Sequence, residues 1–183
     1  MKRSFLLTLL AAVLAAGSLH GAALDYLLEI DGIEGESSAD HHSQAIEIQS
    51  FSWGTTNTTA SSGGGGGAGK VIFQDMHFTA KVSKAGPQLL LGSASAGHIR
   101  RATLFVRKAG AAGGEYQEYY HIELEDVLIT SYSLGAGPSA AGDIVPTDQF
   151  ALNFAKVTIS YTGLDGTVTT GSAVRTPTTI SPQ

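Results

Sequence analysis

A mainly β domain, a barrel or tightly coiled sandwich with one short flanking helix, is what this 183-residue sequence predicts. Three observations carry that prediction: short alternations of apolar and polar residues, phase slips inside the longer alternations, and a single segment of helical character. Successive side chains of a strand point to opposite faces, so apolar residues of one parity mark a half-buried strand. Tyr26, Leu28 and Ile30 share a parity, as do Ile46 and Ile48, then Ala102, Leu104 and Val106, then Tyr120, Ile122 and Leu124. Two runs slip phase: Ile46 and Ile48 give way to Phe51 and Trp53, and Phe150, Leu152 and Phe154 give way to Val157, Ile159 and Tyr161. A slip of one residue turns every later side chain over, so each run is expected to hold a bulge or a sharp bend.

The helix is expected from Pro87 through Leu89, Leu90 and Leu91, with Gly97 near its end; proline suits a first helical turn and glycine a stop. The Thr, Ser and Gly stretch from Gly54 to Gly69, with Gly63 to Gly67 in a row, reads as a long loop. Gly135 to Pro146 reads as a second loop, and Thr167 to Gln183 as a loosely held tail.

Ahead of the strands, Lys2 and Arg3 precede an apolar run from Phe5 to Ala16 and a small-residue stretch ending Gly21-Ala22-Ala23. That order is the pattern of a secretory signal peptide, and the run is short of the roughly 20 residues that span a bilayer. Cleavage is expected between Ala23 and Leu24, leaving one domain from 24 to 183 and no stable membrane insertion. An uncleaved amphiphilic helix and a true start at Leu24 are the alternatives. Without the first 23 residues the chain keeps nine Lys and Arg against 16 Asp and Glu, a balance that disfavours nucleic acid as a partner. The sequence has no cysteine, which removes disulfides and thiol chemistry together.

The charges are segregated. Seven acids and no Lys or Arg lie between Leu24 and Gly69, whereas seven bases and one acid, Asp75, lie between Lys70 and Lys108. Two solvated faces are one reading. The other is an acidic surface on one copy meeting a basic surface on the next.

Catalytic and cofactor motifs fail on inspection. Gly64 to Lys70 fits the G-x-x-x-x-G-K spacing, but Val71 replaces the required Ser or Thr, and Val71-Ile72-Phe73 begins a strand rather than a helix. His41 and His42, with Asp40 and Glu36 nearby, and His77, His98 and His121 lack the helical spacing of a zinc motif. Ser93 and Ser95 stand near Gly97 without a nucleophile elbow. Asn57-Thr58-Thr59 fits a glycosylation sequon. Trp53 reads best as a core aromatic at the end of a strand. No catalytic residue, metal or cofactor is expected.

Several stretches resemble the haemolysin-coregulated protein family, Hcp, the tube protein of type VI secretion systems. They are Gly32 to Glu36, Ile46 to Gly54, Gly67 to Thr79, Pro87 to His98, Ala102 to Gly110, Tyr119 to Ser133 and Leu152 to Tyr161. The similarity runs from about Asp25 to Gly163, in family order. It implies a compact barrel of two antiparallel sheets with one flanking helix, and six-membered rings that stack into a tube. The resemblance also implies a contracting sheath, a spike protein and small effectors as partners, and no catalysis. The family's long loop after the tryptophan falls here on Gly54 to Lys70, which makes Trp53, Gly54, Gly63, Gly64, Gly65, Gly66, Gly67, Gly69 and Lys70 the candidate stacking element.

Two features depart from the family: the signal-like segment, and a C-terminal part in which Gly171 to Arg175 and a Thr- and Pro-rich tail replace a Gly-Trp-rich ending. The leading reading is a structural, ring-forming component or secreted substrate of type VI secretion. The competing one is an exported binding module, an adhesin or carrier, that keeps the fold without the apparatus. The location expected is secreted or periplasmic after cleavage, or cytoplasmic before secretion if the start is at Leu24.

Overall fold

The computed structural model describes residues 24–58, 70–109, 116–138 and 144–175. Within them the chain runs β1 (Leu24–Ile30), β2 (Ile46–Ser52), β3 (Thr55–Thr58), β4 (Lys70–Phe73), β5 (Met76–Lys81), α1 (Ala85–Ser95), β6 (Ile99–Lys108), β7 (Gln117–Pro138), β8 (Ile144–Thr162) and β9 (Val168–Val174). Six strands close into a barrel in the order β5-β2-β1-β6-β7-β8, with β8 returning to β5, and each neighbouring pair is antiparallel. The barrel expected from the sequence is there, and it closes as one continuous sheet. Beside it, β3 and β4 form a separate two-stranded sheet.

The parities read from the sequence line the inside. Leu28, Ile46, Leu104, Leu124, Leu152 and Phe154 are all nearly sealed from solvent, and Phe78 stacks on Phe150 with ring centroids 5.2 Å apart. Each such side chain contributes roughly 1.5–3 kcal/mol by leaving water.

The two phase slips resolve differently. In β2 the pairing with β5 shifts between Ile48 and Ser50, a bulge that swings Phe51 against the edge of Tyr26 at 5.4 Å. β8 makes no bulge. Glu125 pairs with Lys156 and Val127 with Phe154 in one unbroken register, yet Leu124, Val127, Phe154 and Val157 are all buried. Both strands therefore turn over together at Ala155 and Asp126, and Asp126 takes a left-handed backbone with φ 54° to do so. The bulge in this pair lies on β7 instead, between Ile129 and Ser131.

Helix α1 begins two residues ahead of Pro87, and Ala96 rather than Gly97 takes the left-handed position that ends it. Of its three leucines only Leu89 is buried. Its first turn rests on Asp148, which is 1% exposed and accepts a 2.8 Å hydrogen bond from the Tyr132 hydroxyl. A carboxylate beside a helix N-terminus is favourably placed. Burial, the hydrogen bond and the Asp148 charge push the Tyr132 phenol up to about 12.

Between β1 and β2, residues 31–45 fold over the barrel as an ordered loop. Gly32, at φ 81°, turns the chain so that Ile33 bridges back to Ile30 and is buried. Gly35 lies so close to the Ala45 carbonyl that a Cβ there would sit 2.2 Å from its oxygen. That contact lets the Gly35 amide reach Gln44 O at 2.8 Å and the Ser37 amide reach Ala45 O at 3.1 Å.

Three segments expected to be irregular contain strands. Thr55–Thr58, inside the Gly54–Gly69 stretch, is β3, paired with β4. Gly135 to Pro138 and Ile144 to Pro146 extend the β7–β8 ladder. Val168–Val174, inside the expected loose tail, is β9, paired with β8 from Lys156 to Thr162. In each case backbone pairing to a neighbour, rather than side-chain burial, makes the strand. Period-two hydrophobicity is therefore weak in all three.

Candidate assembly surface

Trp53 sits where the barrel meets the β3–β4 hairpin. Its ring stacks on Phe73 of β4 at 6.4 Å and tilts against Phe154 of the core at 5.8 Å, while its Nε1–H donates to Gln74 O at 3.0 Å. The tryptophan is thus the core aromatic that the sequence suggests and also the root that fixes the hairpin. Gly54 completes the root, its carbonyl accepting from the Gln74 amide at 3.1 Å. Lys70 is the first residue of β4, paired with Thr58. Gly63 to Gly67 and Gly69 lie outside the described residues, as does Ala23; Leu24 opens β1 opposite Lys108.

A groove of about 1120 Å³ runs between the hairpin and the β8–β9 ladder, with Trp53, Ile72, Phe73, Ile159, Tyr161 and Val174 among its walls. Val71 and Ile72 on the hairpin and Val168 and Val174 on β9 are each about half exposed or more. Among the described residues β9 pairs along one side only, and it carries no charged residue from Val168 to Val174. An uncharged strand with open backbone groups is a template for pairing with another chain.

Arg175 closes the base of the groove. Its amide donates to Ala155 O at 2.7 Å, its Nη2 donates to Phe73 O at 3.3 Å, and its Nη1 lies 3.7 Å from Asp75 Oδ1. Asp75 also accepts from Thr130 at 2.8 Å and Asn153 at 2.6 Å. One side chain therefore ties the end of β9 to the root of β4. The sequence reading missed both β9 and Arg175. The signal available was Asp165-Gly166 between two runs of β-formers: Asp165 accepts from the Thr167 amide at 3.0 Å and hydroxyl at 2.8 Å, closing the β8–β9 turn.

The segregated charges meet within one chain. Lys81 pairs with Glu47, Lys84 Nζ with Glu34 at 3.0 Å, Arg100 with Asp31 at 2.8 Å and Arg107 with Asp25 at 3.1 Å. The Lys81 hydrogen bond, against a smaller opposing effect of burial, holds the Glu47 carboxyl below its usual range. Antiparallel pairing of β1 with β6 and of β2 with β5 brings the acidic segment onto the basic one. The charges that the sequence reading offered to contacts between copies thus find partners within one copy.

Ser93, Ser95 and His98 are engaged locally. Ser93 Oγ donates to Leu90 O at 2.8 Å and Ser95 Oγ to Gly92 O at 3.4 Å, each within its own helix. His98 pairs with Asp126 at 2.5 Å on the surface. Among the described residues no three His, Asp or Glu side chains are placed to hold a metal ion. Within the same residues, no helix is long and apolar enough to cross a membrane.

This geometry defines a closed β-barrel that carries an anchored hairpin, an apolar groove and an open strand edge. The family model for the type VI secretion system effector Hcp matches residues 27–161. The protein hcp1 of Pseudomonas aeruginosa is 39% identical over 141 residues, covering 76% of this chain and 83% of that protein. The crystal structure of Hcp1 from Salmonella typhimurium superposes with a TM-score of 0.66 at 28% identity, covering 83% of this chain and 94% of the other. That of a type VI secretion system effector from Yersinia pestis gives 0.67 at 25% identity, covering 82% and 100%. The chain belongs to the Hcp family of type VI secretion proteins. That membership favours the type VI reading over an exported binding module without the apparatus.

Proposed function

We propose that this chain is a structural, ring-forming component of a type VI secretion system, assembling as six-membered rings that stack into a tube. The observation that carries the reading is the anchored hairpin beside an open, uncharged strand edge, with Val71, Ile72, Val168 and Val174 left to solvent in a single copy. A ring needs each copy to use two different surfaces, and stacking needs a third element that reaches along the axis. The segment from Trp53 to Lys70, rooted by the tryptophan, is that element in this proposal. Spike and sheath proteins and small effectors in the lumen are its partners. The chain performs no catalysis of its own.

Replacing Gly63 to Gly67 by bulkier residues tests the reading. Native mass spectrometry is expected to show intact rings, and electron microscopy to show tubes shortened or absent. Unchanged tubes would remove the segment from stacking.

We further propose that residues 1–23 are a signal peptide cleaved before Leu24. In support, Lys2 and Arg3, the apolar run from Phe5 to Ala16 and the small residues Gly21 to Ala23 stand in the order of a secretory signal peptide. Intact mass measured on protein from cytoplasm, periplasm and medium of its host decides the point. A Leu24 terminus outside the cytoplasm supports cleavage, and an unprocessed chain in all fractions refutes it.

A further inference from the structure

His42 lies in the loop over the barrel and is 7% exposed. Its Nδ1 is 2.8 Å from Glu29 Oε1 on β1, and its Nε2 is 2.7 Å from Glu118 Oε1 on β7. Between those strands its ring lies against Phe105 of β6, with centroids 4.4 Å apart. One imidazole thus spans three strands of the barrel. The other titratable and charged groups at this place are His121 of β7, 3.0 Å from the second oxygen of Glu118, Arg107 of β6, held by Asp25 of β1, and Asp40 and His41 on the loop itself.

We propose that His42 is a proton-operated clasp for the loop of residues 31–45. An imidazolium has two N–H donors, one for each carboxylate, whereas a neutral imidazole has one donor and one lone pair. On losing its proton to solvent the ring keeps one carboxylate and turns a lone pair toward the other, and the loop comes away from that strand. The release reaches α1 through the same loop, because Glu36 accepts from the Lys84 amide at 3.0 Å and Glu34 pairs with the Lys84 ammonium.

The titration agrees in sign. Burial alone lowers the His42 pKa, but the hydrogen bonds and charges of Glu118 and Glu29 outweigh it and leave the value above the ordinary 6.5. For Glu118, burial raises the pKa, and His42 and His121 outweigh it, leaving it below the ordinary 4.5. A raised histidine supports the closed loop fully below the open-state value and loses that support as pH climbs to its own closed-state pKa. The depressed glutamate loses its support only as pH falls through its own lowered value. The clasp is therefore tightest in mildly acidic solution, between the two ordinary values, and opens toward alkaline pH.

The test uses the whole chain. The pKa of His42 is measured by NMR, with a His41→Gln variant to secure the assignment, and amide exchange at Gly35, Ser37 and Ala45 is followed from pH 6 to 10. The expectation is a His42 pKa above 6.5 and protection factors that fall roughly tenfold per pH unit from there to that pKa, then level off. Glu118→Gln should lower the His42 pKa by about one unit or more and narrow the pH range over which protection falls. His42→Phe should make protection independent of pH. A His42 pKa at or below 6.5, flat protection in the wild type, or an unshifted profile in Glu118→Gln would each overturn the clasp; the first two readings need no variant to fold.

Discussion

The barrel and the elements attached to it solve the same problem in opposite ways. β5, β2, β1, β6, β7 and β8 pair all round, and their inward residues fill one core. Among the described residues the hairpin β3–β4 and the strand β9 pair on one side only, and they keep apolar residues in solvent. Closure makes the first region stable as a single copy, because no edge is left to recruit another chain. The second region leaves apolar residues in solvent in a single copy, and the proposed assembly would use that surface. On the proposed reading folding strength and assembly rest on different residues, and substitutions should separate them.

The largest effect is expected inside the barrel. Phe154 is 1% exposed and supports both the core and Trp53. Phe154→Ala should cost about 3–5 kcal/mol of unfolding free energy by urea titration. A loss below about 1 kcal/mol would mean the core can collapse around the gap and that closure is less rigid than described. Gly35→Ala comes next. Its new methyl meets a backbone oxygen that cannot swing away, so the cost should be about 1–3 kcal/mol. Exchange at the Ser37 amide should rise before the barrel unfolds.

At the boundary between the regions, Arg175→Ala should cost about 1–2 kcal/mol or less, since it leaves the Phe73 carbonyl and part of Asp75 without a partner. Its clearer mark is local. Exchange should increase along β9 while β6 and β7 stay protected, and equal loosening of the barrel would show that β9 is part of one cooperative unit.

How much of this was readable follows from what forms each element. Where side chains are buried on one face, as at Tyr26 to Ile30 or Tyr120 to Leu124, alternation announced the strand, whereas the phase slips left barrel and coiled sandwich open and the return of β8 to β5 decides between them. Gly32 and Gly35 stood in a matching motif, but the close approach of Ala45 to Gly35 exists only after the loop folds. β3 and β9 have no buried face to leave a pattern; Thr, Gly and Ser in Val168–Val174 read as a tail although every residue there is paired. The segregated charges were visible, whereas their mutual neutralisation needed the register of β1 with β6. His42 appeared as half of an ordinary histidine pair because Glu29 and Glu118 lie 13 and 76 residues away in sequence.

The smallest effect on folding should have the largest meaning for assembly. Val168 and Val174 are 60% and 63% exposed at the free edge. Replacing each by threonine keeps the β-branched shape and the backbone pairing, so monomer stability should change by no more than about 0.5 kcal/mol. If this face is covered in the proposed assembly, removing two apolar groups from it should nonetheless weaken association, read as a shift from rings to single copies on dilution in native mass spectrometry. If stability falls and association does not, the groove beside β9 belongs to the fold of one chain, and the division between a self-sufficient barrel and an incomplete edge must be redrawn with β9 on the barrel's side.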